Sequence, residues 1–232
     1  MKDLVLLFLL ISLSGCQWNE KESLIQKTDT FSKEKKEIKA EHTALQNTSD
    51  SKVFNKCDPN CVWRYHHLFA DSTYVFAIQS CGEEYIEKEK NTRLYFGIDR
   101  GLTDKIIWVE NIYVQQNGGG TVTFEDYNND EIKDLLIYKG TGARGSNEYY
   151  YLYLINQRKN QVKKVEGFEE IVNPEYDKKH NVIISYGFSG SNSYSIYKIS
   201  EKNVVYQVGE SFEDDFDGDA ETLDRKITEL LK

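Results

Sequence analysis

From residue 62 to residue 208 the chain breaks into eleven short runs of β-branched and aromatic residues, punctuated by Gly, Asn and Asp. The runs are 62–69, 73–80, 94–98, 105–114, 121–124, 135–138, 149–155, 161–165, 181–186, 194–199 and 204–208. Short runs of this composition, bounded by turn residues, form strands rather than helices. All 16 Tyr lie beyond residue 64 and the whole chain holds only 2 Pro, which confines the strand-forming part to the C-terminal three-quarters. The pattern predicts an all-β fold, a propeller-like or sandwich-like array of short antiparallel strands. Two stretches are apolar on both faces, Ile106-Ile107-Trp108-Val109 and Tyr149-Tyr150-Tyr151-Leu152-Tyr153-Leu154. Both are expected in sheet interiors, the first as a central strand. One helix is predicted over 222–231, where Leu223, Ile227, Leu230 and Leu231 fall at helical spacing.

The N-terminus has a different character. Lys2 is followed by ten apolar-rich residues, 4–13, and then by Leu13-Ser14-Gly15-Cys16. Ten residues are too few to cross a bilayer as a helix, so 1–15 reads as a signal peptide. Leu-Ser-Gly-Cys resembles the lipobox of bacterial lipoproteins, which implies cleavage before Cys16 and a lipidated thiol. Several acyl chains would hold the mature protein to a membrane stably. Gln17 after the cysteine is similar to the outer-membrane sorting pattern, which implies the bacterial envelope, facing the periplasm or the surface. Residues 16–50 are rich in Lys, Glu, Thr, Ser and Gln with few large apolar groups, so they read as a flexible tether. A single all-β domain is expected over 51–232.

Three further cysteines remain, Cys57, Cys61 and Cys81. An oxidising envelope favours a disulfide. A hairpin centred on Asp71 would set Cys61 opposite Cys81, and this is the preferred pair, with Cys57 to either neighbour as the alternative. The net charge is −9, of which −8 falls on 51–232. Such a surface repels nucleic acid and suits a basic protein partner.

The densest polar pattern is Asp126-Tyr127-Asn128-Asn129-Asp130-Glu131-Ile132-Lys133-Asp134, set between two apolar runs. Asp126, Asn128, Asp130 and Asp134 occupy its first, third, fifth and ninth places, and the carbonyl of Ile132 falls between the last two. Alternate oxygens of a curling loop suit calcium, which takes six to eight oxygen ligands. The sixth place, where an EF-hand loop carries Gly, is Glu131, and the twelfth is Ile137 rather than Glu, so this is a strand–loop–strand site. Asp215, Asp217 and Asp219 echo the spacing and offer a second, degenerate metal loop, with an exposed acidic turn before the helix as the preferred reading. The first loop is expected to clamp the strands that present the Gly-rich segment 140–145.

Several enzymatic patterns fail on context. Gly140-Thr141-Gly142-Ala143-Arg144-Gly145 matches a dinucleotide fingerprint, but a strand follows where a helix must open. Gly187-Phe188-Ser189-Gly190-Ser191 lacks the closing Gly of a nucleophile elbow. His66 and His67 are neighbours on a strand and face opposite ways, so they do not join Cys57 and Cys61 around one zinc ion. The expected protein is not an enzyme; its loops bind.

The pattern of the 126–134 loop between strands resembles the calcium loops of FG-GAP and integrin-α-type β-propeller repeats. From Val122 to Val208 the order of calcium loop, Gly-rich loop, Tyr-rich strand, Val165-Glu166-Gly167-Phe168 and Asn173-Pro174-Glu175-Tyr176-Asp177 is similar to calcium-binding bacterial envelope lipoproteins. Some of these act as immunity proteins that inhibit lysozyme-like peptidoglycan hydrolases. Ser189 to Tyr194 also falls one residue off the Ser-Gly-x-x-Tyr motif of some periplasmic lysozyme inhibitors. The resemblance implies a membrane-tethered, calcium-stiffened head that blocks such a hydrolase, with Gly142, Arg144, Ser189 and Tyr194 on the binding loops. The other reading of the same features is a non-inhibitory adhesion or envelope-assembly lipoprotein.

Overall fold

Twelve of the strands fall into three antiparallel meanders, each wound from strands that are consecutive in sequence. The structure, a computed structural model, describes residues 51–54, 59–81, 90–115, 119–188 and 190–232. The segments expected as signal peptide and tether, with Cys16, Cys57 and Ser189, therefore lie outside the described residues. The first sheet contains β1 (Cys61–His66), β2 (Tyr74–Cys81), β3 (Thr92–Asp99) and β4 (Asp104–Ile112), in that order. The second contains β5 (Val122–Glu125), β6 (Asp134–Gly142), β7 (Asn147–Asn156) and β8 (Gln161–Lys164). The third runs β9 (Pro174–Asp177), β10 (Val182–Phe188), β11 (Asn192–Ile199) and β12 (Val205–Gln207), with the short β13 (Phe212–Glu213) also paired to β11. Helix α1 (Ala220–Leu230) follows.

The sheets are layered with the second in the middle. Residues alternate along its strands, so β6 turns Leu135 and Ile137 to one side and Leu136 to the other, and β7 does the same with Tyr151, Tyr153 and Leu152. The first set packs against Phe76, Ile78, Leu94 and Phe96 of the first sheet. The second set packs against Ile183 of the third sheet, together with Val165, Phe168 and Ile171 from the connecting segment. Each fully buried Leu or Ile in such a core contributes roughly 2 kcal/mol. The all-β expectation holds, and the arrangement lays four-stranded meanders face to face without closing a barrel or ring among the described residues.

A layered stack leaves two outer faces to cover, as the ends of a repeat array do. Over the first sheet Phe54 sits edge-on to Tyr65 and Tyr95, held there because Asp104 accepts hydrogen bonds from the N–H of Val53 and Phe54 at 2.6 and 2.7 Å. Over the third sheet lies α1, whose Leu223, Ile227 and Leu230 meet Val182 and Ile196. The Asp219 carboxylate caps the helix by accepting from the Thr222 N–H at 2.9 Å. A second tie reaches α1 from the β9–β10 turn, where His180 sits between Asp177 and Asp224 at 2.5 and 3.3 Å.

Three sequence expectations need correcting. Ile106 to Val109 does not form a central strand: β4 is at the sheet edge, Ile107 falls where the β3–β4 register shifts, and Ile107 and Val109 are 41% and 45% exposed. Ile106 and Trp108 pack partly buried against the core clusters, while Ile107 and Val109 face outward on an edge interrupted by a bulge, a device that blunts edge pairing. Strand β9 was not expected, because Pro174 and two acidic residues hide it; Pro is tolerated as the first residue of an edge strand. The helix starts at Ala220, two residues ahead of the apolar spacing, since its cap is polar.

The β1–β2 hairpin pairs Cys61 with Cys81 and His66 with Phe76, a register centred on Asp71, and a disulfide joins Cys61 to Cys81. This bond closes a loop with a sequence separation of 20 at the end of the first sheet. Its removal, by Cys61→Ala with Cys81→Ala, is expected to lower the unfolding free energy by about 3 kcal/mol through the freed denatured chain. Urea unfolding of the oxidised protein and the double variant measures this.

Candidate functional site

The segment 126–133 crosses the end of the middle sheet from β5 to β6, and its two apolar residues anchor it in two different cores. Tyr127 is 3% exposed, lies between the second and third sheets against the edge of Phe168, and donates its hydroxyl to the Pro174 carbonyl at 2.9 Å. Ile132 packs on the other side, against the cluster shared by the first and second sheets. Between these anchors the backbone curls around Asp126. One oxygen of Asp126 accepts from the N–H groups of Asn128 and Asp130 at 3.2 and 3.3 Å, and the other accepts from Glu131 at 3.0 Å. Asn128 Oδ1 accepts from Asp130 N–H at 3.1 Å, and Asp130 Oδ1 accepts from Ile132 N–H at 2.9 Å. The curl requires left-handed backbone at Asn129 (φ 58°) and Glu131 (φ 67°). Asn tolerates that conformation; Glu at the sixth place is strained, where Gly would not be.

Asp134 has a different job from its loop partners. It opens β6 and is wholly buried. Its oxygens accept from the N–H of Tyr127 and of Ile155, both at 3.0 Å, so it pins the loop to β7. Burial pushes its carboxyl up to about 7 against the pull of those two N–H groups, and the nearby charges of Asp130 and Asp126 add to the rise. Among the described residues no Lys, Arg or His forms an ion pair with Asp126, Asp130 or Asp134. Nor do three His, Cys, Asp or Glu side chains converge there as a ready-made cage, because the carboxylates face loop N–H groups and Asp134 turns inward. The donors present are nonetheless all hard oxygens, Asp126, Asn128, Asp130 and the Ile132 carbonyl, and Asp126 Oδ2 and both Asp130 oxygens each accept a single hydrogen bond, which leaves each a lone pair. That chemistry fits a cation of the calcium type.

The acidic residues before α1 do not gather on one point. Asp219 caps the helix, Asp215 pairs with Lys226 at 2.9 Å, and Asp217 is an exposed turn residue at φ 50°. Gly140 and Gly142 are strand residues of β6, paired with Tyr149 and Asn147, so the hairpin tip proper is 143–146. Arg144 is exposed at this tip with φ 59° and has no hydrogen-bond or ion-pair partner among the described residues. The tip lies at the opposite end of β6 from the 126–133 loop, and nine strand residues at about 3.3 Å each put roughly 30 Å between them. The two segments are therefore not adjacent, and the 126–133 loop is connected to the tip only along β6 and β7. Tyr194 is not a loop residue: it sits in β11, 8% exposed, stacked against Phe212 and Phe216. Tyr186 of β10 also meets it at 4.7 Å, while Phe212 and Phe216 come from the segment before α1, which sequence spacing does not bring to it.

Two features escaped the sequence. Asn147 makes a paired hydrogen bond with the backbone of Phe188, 3.0 Å in each direction, and so ties the base of the 143–146 hairpin to the β10–β11 hairpin. At the other end, beside Tyr127 and Asn128, a cleft of about 320 Å3 opens between the second and third sheets. Its rim asparagines sit on separate turns far apart in sequence, where a local reading takes each as an ordinary turn residue.

This chain matches no family model, no curated protein and no solved structure. What the site does has to follow from its own chemistry.

The Asp134 pin is directly testable. Asp134→Ala strands two buried N–H donors and is expected to cost about 2–5 kcal/mol, whereas Asp134→Asn keeps one acceptor and loses less. Chemical unfolding of the two variants ranks them, and a loss below about 1 kcal/mol for Asp134→Ala would show that Asp134 pins nothing.

Proposed function

We propose that the domain is the head of a lipid-anchored bacterial envelope protein, stiffened by calcium on the 126–134 loop, that binds a basic protein partner. The partner that suits it best is a lysozyme-like peptidoglycan hydrolase, which it would inhibit. The observation that carries the calcium part is the group of uncompensated carboxylates, Asp126, Asp130 and Asp134, on a loop whose anchors reach both cores. Asp126, Asn128 and Asp130 would hold the ion with the Ile132 carbonyl, and Asp134 would support them from behind. The ion would supply positive charge at a junction of all three sheets, so its effect would be mechanical rather than chemical.

The binding part rests on charge and on placement. A chain of net charge −9 attracts cationic partners and speeds their encounter. The Asn147–Phe188 pair links the 143–146 hairpin, whose exposed Arg144 has no partner among the described residues, to the β10–β11 hairpin on a rigid β scaffold. Arg144 is a fitting group for the carboxylate-bearing cleft of a muramidase.

Two measurements test these parts separately. Chelator is expected to lower the melting temperature of the mature chain, and Asp126→Ala to abolish that response; an unchanged melting curve in chelator refutes the calcium reading. Titrating the mature chain into lysozyme-like muramidases is expected to remove their activity at near-equal molar ratio, with Arg144→Ala weakening inhibition at least about tenfold. Absence of binding to any muramidase or amidase refutes the partner.

A further inference from the structure

The cleft beside Tyr127 is built of two kinds of surface. Leu154, Ile183 and Ile199 belong to the apolar cluster beneath it, and the rings of Tyr127 and Tyr176 stand against that cluster 5.9 Å apart. The rim is polar and carries Asn128, Asn181, Lys198, Ser200, Glu201 and Asn203. At about 320 Å3 the space is at the small end of ligand sites, enough for one ring and not for an extended chain.

The amides on this rim are not equivalent. Asn128 is committed to the neighbouring loop through Asp130. Asn181 accepts the Tyr176 hydroxyl at 2.7 Å, which leaves its NH2 group free to donate. The side-chain amide of Asn203 makes no hydrogen bond among the described residues, although its backbone N–H and C=O are both engaged. Left-handed backbone, φ 53° at Asn181 and φ 57° at Asn203, explains why Asn or Gly stands at each turn. It does not explain why both positions carry an amide, or why the amides open onto the same apolar hollow.

The charge around the hollow narrows the ligand class. Glu201 stands on the rim, and Asp177 follows Tyr176 directly at the end of β9. The rim therefore carries both signs, Glu201 with nearby Asp177 against Lys198, and holds no cluster of cations that would select a phosphate or a carboxylate. An amide presents a donor and an acceptor side by side and so matches adjacent hydroxyl groups. Apolar ring faces match the C–H face of a cyclic polyol. We propose that this cleft is a binding site for a neutral sugar ring, seated on Tyr127 and Tyr176 and hydrogen-bonded by Asn181 and Asn203. The site lies at the opposite end of the sheets from Arg144, so it goes beyond the hydrolase reading and does not depend on it.

The test uses the mature chain, isotope-labelled for amide NMR, titrated separately with glucose, galactose and N-acetylglucosamine. At least one is expected to give saturable shifts clustered on residues around Tyr176, Asn181 and Asn203, with dissociation constants on the order of millimolar. Asn181→Gly combined with Asn203→Gly keeps both left-handed turns and removes both amides, and is expected to weaken binding at least about tenfold. Asn203→Asp alone keeps the side-chain shape but removes its donors, and is expected to weaken binding at least about threefold should the double variant fail to fold. Absence of saturable shifts with all three sugars overturns the proposal. So does unchanged affinity in a folded double variant, in Asn203→Asp where the double variant does not fold, or equal binding of inorganic phosphate. None of these outcomes bears on hydrolase inhibition, which is read in a separate assay.

Discussion

The middle sheet is buried on both faces, and the rest of the molecule follows from that condition. A strand alternates its side chains, so Leu135, Ile137, Tyr151 and Tyr153 on one side and Leu136 and Leu152 on the other each need an apolar neighbour. One sheet per face supplies it. Those outer sheets then have exposed backs, and short local devices close them, Phe54 over the first and α1 over the third. Because each sheet is a meander of consecutive strands, most pairing is local, which keeps the entropy of chain closure low.

Where strands stop, buried backbone groups must still be paired, and in this chain amide and carboxylate side chains do much of that work. Asn91 pairs in both directions with the backbone of Val114 at 2.7 and 3.0 Å, as a strand residue would. Asn147 does the same for Phe188, Asn173 bridges Glu148, Ser146 and Tyr186, and Asp104 holds Val53 and Phe54. Asp134 is the carboxylate member of this set at the centre of the stack. It is also the costliest, since a buried charge is tolerated only while its partners are in place. The 126–133 loop and the cleft beside Tyr127 both border it, one through the Tyr127 N–H and the other through the Tyr127 ring.

Period-two apolar patterning made most strands and the Asp71-centred hairpin legible, because alternation and turn chemistry are local. Continuous apolar runs were less dependable. The run in β7 does lie in a doubly buried strand, whereas Ile106 to Val109 lies on an edge with a bulge, and composition alone does not separate the two cases. The oxygen spacing at 126, 128 and 130 marked a curled loop, and the left-handed turns at Asn129 and Glu131 match it. The role of Asp134 was not legible, since its partner Ile155 is 21 residues away on another strand.

By itself the sequence determined that this is an all-β chain, where most strands begin, and which loop collects oxygen donors, because these depend on neighbours a few residues apart. Only the tertiary structure decided which sheet is central, which strand is an edge, and that Tyr194 is buried. It also decided that Arg144 stands at the far end of β6 from the 126–133 loop, and that Tyr176, Asn181 and Asn203 share one hollow. These are questions of long-range packing, where the order of layers and the covering of each face are set by the whole chain at once.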